Sequence, residues 1–164
     1  MSMTDAVEGS GPLSALIGER FSGVGQAAGM GVFEFGVDLT DVDPELGVGS
    51  RGAKYALHVQ CAFRLTRNGF VVLGSTDQRW LGKGGSGSQS MFDVRAQAID
   101  GALAKSPHIV VREISLSGHG DLGIILTNGV GIDIFIDSSR PSEQWRFLQR
   151  FGEHLIFPGR RGGE

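Results

Sequence analysis

The chain has 164 residues, 40% of them hydrophobic and 20% charged, which fits one soluble globular domain with a core of its own. Fifteen basic residues against 18 acidic ones leave a net charge of −3, so there is no broad basic face to displace counterions from nucleic acid, and Arg160-Arg161 alone is too short to supply one. A single cysteine excludes an internal disulfide or a thiolate-rich zinc site, and no apolar run nears the roughly 20 residues that cross a bilayer.

Residues 1–10 carry no hydrophobic segment and read as a disordered tail rather than a secretory signal, which predicts a cytoplasmic protein. One domain is expected over 11–158, with a second disordered tail at 159–164. "PLSALIGERF" (12–21) predicts a short helix, with Pro12 at its first position and Leu13, Leu16 and Ile17 on one face. "GVGQAAGMG" (23–31) is too rich in glycine for a helix, "GVFEFGVDL" (31–39) reads as a strand, and 40–52 as a loop.

"YALHVQCAFRLT" (55–66) alternates cleanly. Leu57, Val59, Cys61, Phe63 and Leu65 point one way, while His58, Gln60, Ala62, Arg64 and Thr66 point the other, as in a strand with one buried face. Asn68-Gly69 predicts a two-residue hairpin turn, with Phe70–Ser75 as the returning strand. In that register Thr66 faces Val71, Arg64 faces Leu73, Gln60 faces Asp77 and His58 faces Arg79. His58, Gln60, Arg64, Asp77 and Arg79 then share one polar face, and Val72 joins the core side. Such a face either binds an acidic or planar partner through the forked donors of Arg64 and Arg79, or is the solvated side of an antiparallel sheet.

"LGKGGSGSQS" is loop by composition, with a flexible segment over 82–90. From Met91 the period changes: Phe92, Arg95, Ala96, Ile99 and Leu103 predict a helix over 91–105, closed by Pro107. "IVVREISLS", "LGIILTNGVGIDIFI", "WRFLQ" and "HLIFP" read as strands, with a second Asn-Gly turn at 128–129 that would pair Ile125 with Ile132 and Ile124 with Asp133. Both faces of that hairpin would be apolar, and the helix would cover it. The fold class is α+β, a single domain with an antiparallel sheet of hairpin-linked strands.

Motifs with a fixed chemistry are missing. "GVGQAAG" has the wrong glycine spacing for a dinucleotide site, "GKGGSGS" is not a phosphate loop, and His58, His108, His119 and His154 lack metal-ligand spacing. Neither a metal nor a cofactor is expected. Cys61 belongs to the core rather than to a nucleophile pair with His58. Asp133 reads as a hydrogen-bonded or edge-exposed aspartate. Glu143, Trp145 and Arg146 cluster in "SEQWRF", where Trp145 is either a binding anchor or a core residue.

The segment Ala56-Leu57-His58-Val59-Gln60-Cys61, with Arg64-Leu65, the later Asp77, and Glu143, Trp145 and Arg146 near the end, resembles a family of small uncharacterised bacterial proteins. "GVGQAAGMGVFEFG" is similar as well, and the chain departs from the pattern at Ala62-Phe63, where that family has Pro-Trp. The resemblance implies no activity; in size and context it suggests an immunity protein of a bacterial toxin system. Two functions are therefore expected to compete. One is a non-enzymatic interaction protein that binds a protein partner, with Trp145, Arg64 and Arg146 as anchors. The other is a small-molecule-binding protein or enzyme with a cleft around His58, Gln60, Arg64 and Asp77; a deep pocket with perturbed titratable groups favours the second.

Overall fold

Short apolar runs punctuated by glycine turns fold as ten strands and one helix among the described residues, which in the computed structural model are 11–38, 52–82, 89–150, 152 and 154–158. The predicted tails at 1–10 and 159–164, nearly all of the loop at 40–52 and residues 83–88 of the flexible segment lie outside them. The strands are β1 (Phe21–Ala27), β2 (Met30–Asp38), β3 (Ala53–Val59), β4 (Ala62–Arg67), β5 (Phe70–Gly74), β6 (Val111–Leu116), β7 (Leu122–Leu126), β8 (Gly131–Phe135), β9 (Trp145–Gln149) and β10 (Leu155–Phe157). The helix, α1, spans Met91–Ala104. The protein is α+β with antiparallel pairing throughout, but it has two sheets rather than one: β1-β2-β3-β9-β10 and β5-β4-β8-β7-β6. None of its described helices is long and apolar enough to cross a membrane.

The inner faces of the two sheets meet in one core, where Phe33 of the first sheet contacts Phe63 of the second edge-on at 5.2 Å. The stretch 55–66 makes the corner between them. Its alternation holds throughout, with Leu57, Val59, Cys61, Phe63 and Leu65 all buried. The backbone N–H groups of Gln60 and Cys61 both donate to the Gln144 carbonyl, at 2.8 and 3.2 Å, and there the chain passes from β3 into β4 and changes sheet. What reads as one strand is two.

Helix α1 starts where Ser90 Oγ accepts the Asp93 N–H at 3.1 Å. It buries Phe92, Ala96 and Leu103 and lies along β1, where Asp100 Oδ1 accepts the Val24 N–H at 2.8 Å. An edge strand is thereby covered. The helix packs against β1, β5 and the turn after β5, and not over the β7-β8 hairpin as expected. The predicted helix at 12–21 is a 3-10 turn over Gly11–Leu16. With three residues per turn Leu13 and Leu16 stack on one side, both 0% exposed, while Ile17 swings out to 50%.

Both Asn-Gly sites turn the chain, and the registers correct the sequence reading. Asn68 and Gly69 have φ of 51° and 80°, the pair of positive values that a type I′ turn needs. Arg67 faces Phe70 and Thr66 faces Val71 as expected, but a bulge then sets Leu65 opposite Leu73 and Arg64 opposite Gly74. Leu73 therefore takes the fully buried place predicted for Val72, which packs only partly buried against the core. At the second hairpin Leu126 N–H bonds the Val130 carbonyl, so the loop has three residues and only Gly129 has positive φ. The shift of one residue pairs Ile124 with Ile132 and Gly123 with Asp133. Leu122, Ile124, Ile132 and Ile134 then all face the core, and Asp133 faces out.

Candidate functional site

The corner and the bulge split the predicted polar face into three places. On the outer face of the first sheet, His58 sits opposite Arg146 of β9. Glu143 ties this group together: its carboxylate accepts Arg146 Nε at 2.6 Å and Nη2 at 3.4 Å, and Gln60 Nε2 at 3.3 Å. On the outer face of the second sheet, Arg64 bonds Asp133 at 3.0 Å and lies over the Phe135 ring at 5.0 Å. Asp77 and Arg79 belong to a 3-10 turn at Ser75–Arg79, which replaces the expected continuation of β5. There Asp77 accepts the Gly74 N–H at 2.9 Å, a structural cap, and Arg79 is exposed. The five residues do not share a face.

Trp145 alternates with Arg146 along β9 and so points inward. It is 0% exposed, stacks on Phe157 at 5.6 Å and donates its Nε1–H to the Gly120 carbonyl at 2.9 Å. It is a core residue in this fold and offers no surface to a partner. Cys61 is buried too, and burial first, then the charge of Asp137, pushes its thiol up to about 12. A thiol held that far above neutral pH is not a nucleophile.

Above the outer face of the first sheet lies a groove of about 540 Å³. Its depth comes from small residues: Gly25 and Ala27 on β1 and Ala56 on β3 leave room over the sheet, between the larger Val32 and Leu148. Polar groups ring this apolar floor. His58 lies at one end, half-buried, and its pKa is lowered, first by burial and then by the Arg146 and His154 charges, with Glu143 opposing. Lys54 and Arg150 lie at the other end, linked by the Arg150 N–H to the Lys54 carbonyl at 3.1 Å. Lys54 reaches Glu19 at 3.4 Å, a contact that raises its pKa. Glu34, 8% exposed, is shared between the groove and a second hollow of about 280 Å³ that also touches Arg20 and Ser22.

Three side chains around these hollows carry buried polar atoms with no protein partner: Arg150 at Nε and Nη2, Arg20 at Nε, and Ser22 at Oγ. All of them can donate. An unmatched buried donor costs about 1–3 kcal/mol, so each of these atoms would gain from an acceptor placed beside it. Among the described residues no cluster of three or more His, Cys, Asp or Glu could hold a metal ion.

Of the predicted site residues only His58 lines the groove, with Gln60, Glu143 and Arg146 forming the network beside it. Lys54, Arg150, His154 and Glu34 were missed. The available signal was the small-residue alternation of Gly23, Gly25 and Ala27, which reads as a strand with an empty face once helix is excluded. No protein-family model, curated protein or solved structure matches this chain. The fold and the site define a class only: a two-sheet α+β domain with a concave, partly polar face on its first sheet.

Proposed function

We propose that this is a cytoplasmic binding protein whose ligand lies in the groove on the first sheet. The observation that carries this is the groove itself: about 540 Å³ falls within the roughly 300–1,000 Å³ typical of small-molecule sites. Its make-up, an apolar floor with a few convergent polar groups and a half-buried, perturbed histidine, supports the same reading. The anchors of the competing interface are engaged elsewhere, Trp145 in the core and Arg64 with Asp133. A fragment screen by amide NMR tests it. Hits should perturb Val32, Ala56, His58 and Leu148 together, and Ala56→Trp, which fills the groove, should remove them with the fold intact. Hits that scatter over the second sheet would overturn the proposal.

One observation favours the second reading, a protein partner of the kind an immunity protein would have. Phe70 and Val71 are 73% and 58% exposed on β5, an edge strand of the second sheet. Exposed apolar edges are natural docking strips. Phe70→Glu would abolish binding through that edge and leave groove ligands unaffected.

A further inference from the structure

We propose that the groove takes an organic acid with an apolar body, and that Arg150 holds its carboxylate. This rests on the groove being a ligand site and goes on to name the ligand's chemistry.

Arg150 follows β9 and lines the groove, yet its Nε and Nη2 are buried without a protein partner. These two nitrogens form one edge of the planar guanidinium, with parallel N–H bonds at the spacing of two carboxylate oxygens. The protein uses the same edge four residues earlier, on β9. Arg146 grips both oxygens of Glu143 with Nε and Nη2, at 2.6 and 3.4 Å. In Arg146 the edge is filled from within the chain; in Arg150 no side chain fills it. Arg150 thus keeps an unfilled, solvent-closed donor edge in a side chain that lines the groove.

The remainder of the groove narrows the class. Val32, Ala56 and Leu148 offer an apolar floor, which suits an organic body rather than a bare ion. Lys54 adds positive charge next to Arg150, but part of it is taken up by Glu19. Glu34 contributes a buried carboxyl group to the same groove. The geometry points to a single carboxylate at Arg150 with its apolar portion across Ala56.

The experiment titrates benzoate, its neutral isostere benzamide, and inorganic phosphate into labelled protein and follows the amides of Lys54, Ala56, Leu148 and Arg150. Benzoate should shift them saturably, benzamide should bind at least about tenfold more weakly, a difference of about 1.4 kcal/mol, and phosphate should bind more weakly than benzoate. Arg150→Gln should lose at least about tenfold for benzoate and nothing for benzamide, and Arg150→Lys should recover only part of the loss. Equal affinity for benzoate and benzamide would overturn the proposal, as would an unchanged benzoate affinity in Arg150→Gln. Phosphate binding more tightly than benzoate would refute the carboxylate assignment. Should Arg150→Gln fail to fold, Arg150→Lys and the benzamide comparison decide. Neutral fragments that occupy the groove while benzoate does not would sink this inference and leave the groove reading standing; a groove that no fragment enters would sink the reading itself.

Discussion

Gly31→Ala tests the contact between the two sheets most directly. A Cβ built on Gly31 would lie 2.5 Å from Phe63 Cε1 and 2.6 Å from Cζ, well inside van der Waals contact. The φ of Gly31 is not positive, so the cost is steric and not conformational. Phe63 has little freedom to retreat: Phe33 meets it edge-on at 5.2 Å, Phe92 at 5.9 Å, and it is 4% exposed. Overpacking of a tight core costs about 1–3 kcal/mol, and a ring pinned from two sides places this case toward the upper half. For a domain of this size each kcal/mol lowers the Tm by roughly 2–4 °C, so thermal denaturation should show a drop of about 4–12 °C. Phe63→Leu should relieve the clash. In a double-mutant cycle the pair would then be less destabilised than the sum of the single changes by about 1 kcal/mol or more. A neutral Gly31→Ala, or strict additivity, would mean that Phe63 does not pack on β2 and that the sheets meet differently.

Three further outcomes are expected. Cys61 should react slowly with a thiol reagent in the native state and quickly in denaturant; because its folded pKa is raised from about 9 to about 12, its contribution to stability is full below pH 9 and is lost as pH rises toward 12, and fast native labelling would refute its burial. The lowered pKa of His58 works in the opposite direction: the folded state prefers the neutral ring, so stability is full above about pH 6.5 and falls as pH drops through the folded value, and an NMR titration midpoint at or above 6.5 would contradict the burial that causes it. Arg64→Ala should change stability by no more than about 0.5–1 kcal/mol in urea denaturation, because Arg64 and Asp133 are a solvent-exposed pair with side chains 48% and 36% accessible; a loss of several kcal/mol would make the pair a buried structural element.

The alternation from Leu57 to Leu65 and the Asn68-Gly69 turn were legible because each depends on neighbours in sequence: side-chain period and the need for positive φ. The corner at Gln60-Cys61 was not, because alternation continues through it. What bends the chain there is the Gln144 carbonyl, far along the sequence. The register of the second hairpin failed for a different reason. An Asn-Gly pair serves a two-residue turn or the end of a three-residue loop, and local sequence does not choose between them. Here the choice is settled by burial of Ile124, Ile132 and Ile134 on one side, a tertiary preference. The site was legible only around His58, Gln60, Glu143 and Arg146. Arg150 belongs to no motif; it matters because β9 returns beside β3 and brings it to the groove that Gly25, Ala27 and Ala56 also line.

That return of β9 has a consequence for how the chain is made. As synthesis proceeds from the N-terminus, β1, β2 and β3 emerge in order and can pair as a meander, but the free side of β3 has no neighbour until Trp145–Gln149 appears. The whole second sheet is translated in the interval. During it β3 is an open edge carrying Leu57 and Val59, the kind of surface that chaperones shield and that seeds aggregation. A nascent chain stalled between β8 and β9 should therefore be the form of this protein most dependent on chaperone capture, with release only once β9 has closed the gap.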